Sequence, residues 1–138
     1  MAEGRTLSGL WTGRYDYARP GMGDPVTFEV VLTETGRVFT GELVEPNTFR
    51  DDAGDTLMAV VSGSRDGQFV QFLKTYTDFN GLDHPVYEGR CNGALTRISG
   101  DWRFPAFPAV CGSFLMVRTA GLAEEKAREA KAEAEIEI

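Results

Sequence analysis

The residue of this chain whose type and surroundings are most unusual is a lysine near its middle. Lys74 alternates with Val70, Phe72 and Tyr76 in a segment that reads VQFLKTY. Alternate side chains of a β-strand share one face, so this cation falls on an apolar, aromatic face. An unpaired ammonium buried there would be costly. Lys74 therefore either extends to water at the mouth of the fold or meets an anionic partner, in the protein or in a ligand.

Aromatic and hydroxyl-bearing side chains occur in the same inward phase on other segments. They form, with Lys74, a candidate lining for a small-molecule site, because pockets combine apolar walls with a few polar groups. A filled core of the same composition is the alternative. The candidate lining residues are Tyr15, Tyr17, Phe39, Phe72, Lys74, Tyr76, Tyr87, Trp102 and Phe114.

Catalytic, metal and cofactor signatures are not found. The single histidine, His84, precedes a proline and is expected at the surface, and no Cys/His spacing matches zinc. The acidic loop 51–55 lacks the spacing of a calcium-binding EF-hand. Cys91 and Cys111 are expected to be free, buried thiols. We therefore predict no catalytic residue, no metal ligand and no cofactor.

The elements that position these residues are predicted from period-two alternation of apolar and polar side chains. It indicates eight strands joined by turns, which favours an all-β, antiparallel up-and-down barrel because eight strands can close a sheet. A β-sandwich is the alternative. The predicted strands are 11–17, 25–34, 38–44, 56–62, 68–76, 86–91, 94–104 and 111–118, with a loop from Glu45 to Asp55 and a two-residue turn at Asn92-Gly93.

Five glycines lie within strands and in phase with the aromatic face. Glycine weakens a strand, so its recurrence indicates either sharp coiling and close packing of a large neighbour or simple bulges. These residues are Gly13, Gly41, Gly89, Gly100 and Gly112.

Composition changes at the end of the barrel. Residues 121–138 are rich in Ala, Glu and Lys, which favours a charged C-terminal helix after a barrel domain of residues 1–120. That helix is expected to be solvated. The alternative is a helix that covers the barrel or packs on a second copy of the chain.

Two features resemble the calycin superfamily of lipocalins, fatty-acid-binding proteins and avidins. The first strand carries Gly9-Leu10-Trp11, and the last predicted strand ends at Arg118. In calycins the tryptophan closes the barrel floor and the arginine packs across it, so the resemblance implies that Trp11 and Arg118 close this barrel.

Within that superfamily, the layout of residues 7–118 is most similar to the avidin and streptavidin family. The polar residues with which avidins hold biotin are replaced here, by Gly13 and Tyr17 in the first strand and by Gly112 in the last. Lost polar contacts of about 1–3 kcal/mol each in a buried site make tight biotin binding an unexpected property of this chain.

Net charge limits the partners. A formal charge of −7 disfavours binding to nucleic acid and to anionic lipid surfaces, and no apolar run is long enough to span a membrane. The start lacks a secretory signal, so a cytoplasmic location is expected.

The function predicted from the sequence is a non-catalytic barrel that binds a small, partly apolar ligand, of anionic character if Lys74 contacts it. One alternative is a filled barrel that acts through homo-oligomeric assembly, by its outer face or its C-terminal helix. Phe69, Leu73, Leu115 and Val117 would then lie exposed on the outer face. Another is a cofactor-free isomerase or cyclase that works in the pocket.

Overall fold

A computed structural model describes residues 6–78 and 84–119. It shows a closed barrel of eight antiparallel strands in which each strand pairs with its neighbours in sequence, so the predicted fold class is confirmed and the sandwich alternative is wrong. The predicted helix at 121–138 lies outside the described residues. The strands are β1 Gly9–Tyr17, β2 Val26–Thr35, β3 Val38–Pro46, β4 Thr56–Asp66, β5 Phe69–Tyr76, β6 Val86–Cys91, β7 Arg97–Phe104 and β8 Phe107–Arg118.

Closure depends on β1, which pairs with β2 on one side and with β8 on the other. Trp11 lies opposite Val30 of β2 and Arg118 of β8, and Tyr15 lies opposite Val26 and Phe114. Both edges of the sheet are thereby used, and no strand in this barrel is left with an unpaired edge. Side chains of β2 alternate strictly between buried and exposed, as the period-two pattern predicts.

Three predicted boundaries are wrong. β3 continues through Pro46, so Glu45 is a strand residue and not the first residue of a loop. β7 begins at Arg97, and the turn before it is wider than two residues because the Asn92 side chain accepts hydrogen bonds from the amides of Thr96 (2.8 Å) and Arg97 (3.0 Å). β8 begins at Phe107, earlier than predicted.

In-strand glycines let the chain approach bulky neighbours. A Cβ at Gly100 would lie 2.0 Å from the carbonyl oxygen of Glu88, and one at Gly13 would lie 2.2 Å from the Phe28 ring. Both distances are shorter than van der Waals contact, so close packing explains these two glycines better than bulges do.

The two ends of the barrel differ in their connections. At the end that we call the closed end, the hairpins β2–β3 and β4–β5 turn at Gly36 and Gly67, both with positive φ. There residues 6–8 lie beside Trp11, whose indole N–H donates to the Leu7 carbonyl over 2.8 Å. At the opposite, open end, the longer connections 18–25, 47–55 and 77–85 join the strands.

No helix among the described residues has the length and apolar character needed to cross a membrane.

Candidate functional site

The lysine singled out by the sequence is buried inside the barrel and paired with a glutamate. Its ammonium forms a salt bridge with Glu45 Oε1, and the two side chains are 1% and 0% exposed. Three tyrosine rings surround the ammonium, with centroids 4.7 Å (Tyr15), 4.6 Å (Tyr76) and 5.9 Å (Tyr87) from Nζ. Lys74 therefore does not extend to water, and an anionic partner is supplied by the protein itself.

The second carboxylate oxygen of Glu45 holds two phenols. The Tyr15 hydroxyl donates to Oε2 over 2.7 Å and the Tyr76 hydroxyl over 3.1 Å. Each carboxylate oxygen thus has a donor, which is the condition for burying an ion pair. We call Lys74, Glu45, Tyr15 and Tyr76 the buried cluster.

Burial controls the protonation of these groups. It lowers the pKa of Lys74, and the attraction of Glu45 and its hydrogen bond offset this only in part. Burial likewise raises the pKa of Tyr15 and of Tyr76, and the Glu45 charge raises both further. All four phenols of the interior, with Tyr17 and Tyr87 shifted in the same direction, are therefore neutral around neutral pH.

An enclosed cavity of about 200 Å³ opens next to this cluster, at the open end of the barrel. Seven of the nine side chains that line it are aromatic. We call it the aromatic cavity. Its lining residues are Tyr15, Tyr17, Phe49, Tyr76, Pro85, Tyr87, Trp102, Phe104 and Val110.

The rings of the aromatic cavity stand at steep angles to one another. Trp102 meets Tyr17 at 83° with centroids 5.3 Å apart, and it meets Tyr15 at 78° and 5.6 Å. Phe104 stands at 83° to the Trp102 ring on another side. Edge-to-face packing of this kind is favourable for aromatic pairs, and it surrounds the space between them with ring faces and ring edges.

Phe49 reaches the cavity from the loop between β3 and β4. Asn47 shapes this loop: its side-chain nitrogen donates to the carbonyls of Arg50 (2.6 Å) and Gly54 (2.8 Å), and its oxygen accepts from the Arg50 amide (2.8 Å). Asparagine stabilises turns in this way. The loop holds Phe49 at 76° to the Tyr76 ring, 5.6 Å away, while the Phe49 side chain stays 49% exposed.

The predicted lining residues divide between this cavity and a packed core. Tyr15, Tyr17, Tyr76, Tyr87 and Trp102 line the cavity. Phe39, Phe72 and Phe114 do not, because their rings pack on one another deeper in the barrel. Phe72 is 6.0 Å from Phe39 and 5.8 Å from Phe114 between ring centroids. Lys74 lies beneath the cavity lining, within the buried cluster.

Several site residues are missing from the sequence prediction: Glu45, Phe49, Pro85, Phe104 and Val110. For Glu45 the signal was present, since it continues the inward phase of Phe39, Gly41 and Leu43 along β3. It was assigned to the loop because charged residues rarely point inward.

The Trp11–Arg118 pair lies at the closed end. The Arg118 guanidinium is 5.2 Å from the Trp11 ring centroid. It also donates to the carbonyl oxygens of Thr6 and Ser8, the latter over 2.9 Å. Together these contacts hold the segment 6–8 against the barrel.

The remaining reactive side chains lie apart from the cavity. Cys91 is buried and Cys111 half-buried, and both are free thiols, so the expectation of two buried thiols holds for Cys91 alone. Burial raises the pKa of the Cys91 thiol, which disfavours the reactive thiolate. His84 is half-buried. The parts of the chain that the structure describes contain no cluster of three or more His, Cys, Asp or Glu side chains suited to a metal ion.

Comparison with known proteins yields no match: neither a protein-family model nor the sequence of a curated protein matches this chain.

Proposed function

We propose that this protein is a non-catalytic binding barrel that takes a small, mainly apolar molecule into the aromatic cavity. One observation carries the proposal: an enclosed space of about 200 Å³ lies at the open end of a barrel whose remaining interior is packed. Larger hollows, such as one of about 400 Å³ beside Asp101 and Ser113, lie on the outside of the barrel and lack the aromatic lining.

The size and polarity of the cavity restrict the ligand. Pockets for drug-sized ligands measure about 300–1,000 Å³, so this one suits a smaller molecule or one chemical group of a larger molecule. The anionic character that Lys74 suggested is not part of the proposal, because Glu45 already neutralises that lysine.

We also propose a calycin relationship, avidin-like in layout. The contact of Arg118 with the Trp11 ring and its hydrogen bonds to the first residues of β1 and before it support this relationship. The avidin ligand does not follow, since glycines occupy the ligand-contact positions at residues 13 and 112.

Shift mapping by NMR tests the binding proposal. Amide spectra of ¹⁵N-labelled protein would be recorded with neutral one-ring compounds such as p-cresol and benzyl alcohol. We expect saturable shifts at Tyr17, Tyr76 and Phe104, while amides at the closed end, such as Glu34, stay in place. Shifts scattered over the outer surface, or none with any compound, would contradict the proposal.

A cavity-filling variant provides the matched control. Val110→Phe fills the cavity and should weaken p-cresol binding at least about ten-fold, because the added ring takes the ligand's place. Val117→Phe places the same ring on the outer face of the same strand, where the parent side chain is 39% exposed. It should leave binding unchanged.

Assembly through the outer face is a second candidate function. Phe69, Leu73 and Val117 are exposed there, at 43%, 39% and 39%, whereas Leu115 is half-buried. Exposed apolar side chains of this kind can mark a protein interface. Light scattering with size-exclusion chromatography tests it: a dimer or larger assembly that Leu73→Glu dissociates supports the candidate, and a monomer at high concentration rejects it. The isomerase or cyclase alternative stays a prediction from the sequence.

A further inference from the structure

We infer that the chemical group recognised by the aromatic cavity is a methylated ammonium cation, free or carried on a larger molecule. This inference rests on the proposed binding function and names the class of its ligand. A cation is attracted to the negative face of an aromatic ring, and recognition of quaternary ammonium groups by several surrounding rings is a recurrent use of that attraction.

The polar groups of the lining favour a cation over an anion. Tyr15 and Tyr76 direct their hydroxyl hydrogens to Glu45, and Trp102 donates its indole N–H to the Asp16 carbonyl over 3.1 Å. These three donors point away from the cavity, so their oxygens and ring faces remain for a ligand. The lining that the described residues form contains no lysine or arginine.

The charge beneath the cavity points the same way. Glu45 cancels the charge of Lys74, and its second oxygen accepts hydrogen bonds from two lining phenols. A phenol that donates to a carboxylate becomes richer in electron density at its oxygen and ring. The Glu45 charge also contributes to the raised pKa of Tyr17, Tyr76 and Tyr87, which shows that its negative potential extends to the cavity walls.

The arrangement of the rings completes the argument. Tyr17, Trp102 and Phe104 form successive steep contacts on one side of the cavity, and the half-exposed Phe49 ring meets Tyr76 on the rim. A roughly spherical trimethylammonium group contacts rings on several sides at once, whereas a flat neutral ligand contacts mainly two parallel faces. The acidic protein, with a formal net charge of −7, also attracts cations at long range.

A charge-removing pair of ligands tests the inference. Isothermal titration calorimetry would compare choline with 3,3-dimethylbutan-1-ol, which has the same shape with carbon in place of the charged nitrogen. We expect the neutral compound to bind about ten-fold more weakly than choline, within the range of desolvated cation–π contacts. Equal binding of the two compounds would overturn the inference and leave the proposed binding function intact.

Other outcomes separate the two claims. If p-cresol binds in the cavity and choline does not, the ligand class is wrong and the binding function stands. If neither p-cresol nor choline binds, both are wrong. A trimethyllysine derivative blocked at both backbone ends distinguishes the sources of the group: binding as tight as that of choline supports a group carried on a protein chain, and markedly weaker binding supports a free small cation.

Two variants with matched exposure locate the contact. Phe49→Ala removes a rim ring and should weaken choline binding about three- to ten-fold. Phe69→Ala removes a phenylalanine of similar exposure, 43% against 49%, at the closed end of the barrel and should have no effect. Tyr17→Leu keeps apolar bulk but removes a ring face, so it should weaken choline more than it weakens 3,3-dimethylbutan-1-ol. Equal effects of Phe49→Ala and Phe69→Ala would contradict the assignment.

Discussion

The two ends of the barrel each bury a glutamate, and the two carboxylates are neutralised in different ways. At the closed end, Arg65 holds Glu34 with two nitrogens, over 2.8 and 2.9 Å, and the Leu7 amide donates a third hydrogen bond of 2.9 Å. The Arg65 side chain remains 20% exposed. At the open end, Lys74 is 1% exposed and its partner Glu45 binds phenols instead of backbone amides.

This difference separates stability from recognition. The Glu34–Arg65 pair connects the chain before β1 to β2 and β4, and its partners seal that end with backbone. The Glu45–Lys74 pair lies beneath phenols whose other sides line a cavity. A buried ion pair contributes little net stability over apolar side chains. Its retention beneath the aromatic cavity is therefore better explained by its effect on the phenols.

The largest effect is expected from breaking the open-end pair. Lys74→Met leaves Glu45 charged and buried, so the free energy of unfolding should fall by about 3–5 kcal/mol. The double variant Lys74→Met/Glu45→Gln should recover much of that loss, because the amide is neutral and still accepts from the phenols. Urea denaturation measures both. A Lys74→Met variant as stable as the parent would contradict the burial of this pair.

A smaller effect is expected at the closed end. Arg65→Met removes two charged hydrogen bonds, but Glu34 keeps the Leu7 amide and gains access to water where the guanidinium was. The free energy of unfolding should fall by about 1–3 kcal/mol. The same urea titrations rank the two variants, and a larger loss for Arg65→Met than for Lys74→Met would reverse the comparison.

Acid should remove the contribution of the closed end. Burial alone would raise the pKa of Glu34, but hydrogen bonds from Arg65 and Leu7 and the charges of Arg65 and Arg118 outweigh it, so the pKa lies below its ordinary value. A carboxyl whose pKa is lowered by folding stabilises the protein above its unfolded pKa and loses that contribution as pH falls through the folded pKa. The stability difference between parent and Arg65→Met should therefore shrink below about pH 4.

The control for that pH series is an exposed pair. Arg50 and Asp52 form a salt bridge in the loop before β4, with side chains 35% and 64% exposed. Arg50→Met should change the free energy of unfolding by less than about 1 kcal/mol at any pH, as surface pairs do. A constant difference between parent and Arg65→Met down to strongly acidic pH would contradict the lowered pKa of Glu34.

The smallest effect on stability is expected from the rim of the cavity. Phe49→Ala should cost less than about 1 kcal/mol, because the ring is half-exposed and contacts Tyr76 by one edge-to-face pair. Phe69→Ala should cost a similar amount. Thermal unfolding of both variants checks that Phe49 contributes to recognition and not to folding, and a large loss for Phe49→Ala alone would contradict this.

The barrel could be predicted from the sequence because alternation along strands such as β2 records which face is buried. Lys74 could be identified for the same reason, as a cation in the inward phase. Its partner could not, because a glutamate next to a proline in a turn-rich segment resembles a loop residue, and only the pairing of β3 with β4 shows that the strand continues through Pro46.

The limit between core and cavity was also beyond the sequence. Phe72 and Tyr87 carry the same inward phase, yet Phe72 is covered by Phe39 and Phe114, while Tyr87 also reaches the open space. Depth along the barrel axis depends on the stagger of the strands, which alternation does not encode. Phe49 was missed because its position depends on the loop that Asn47 shapes.

The two tryptophans allow one direct test, since Trp11 lies at the closed end and Trp102 in the wall of the aromatic cavity. Protein labelled with 5-fluorotryptophan gives two ¹⁹F resonances, which Trp102→Phe assigns by removing one. On titration with p-cresol or choline, we predict a saturable shift of the Trp102 resonance and a stationary Trp11 resonance. A Trp102 resonance that neither compound shifts, or two resonances that shift together, would contradict a ligand cavity at the open end.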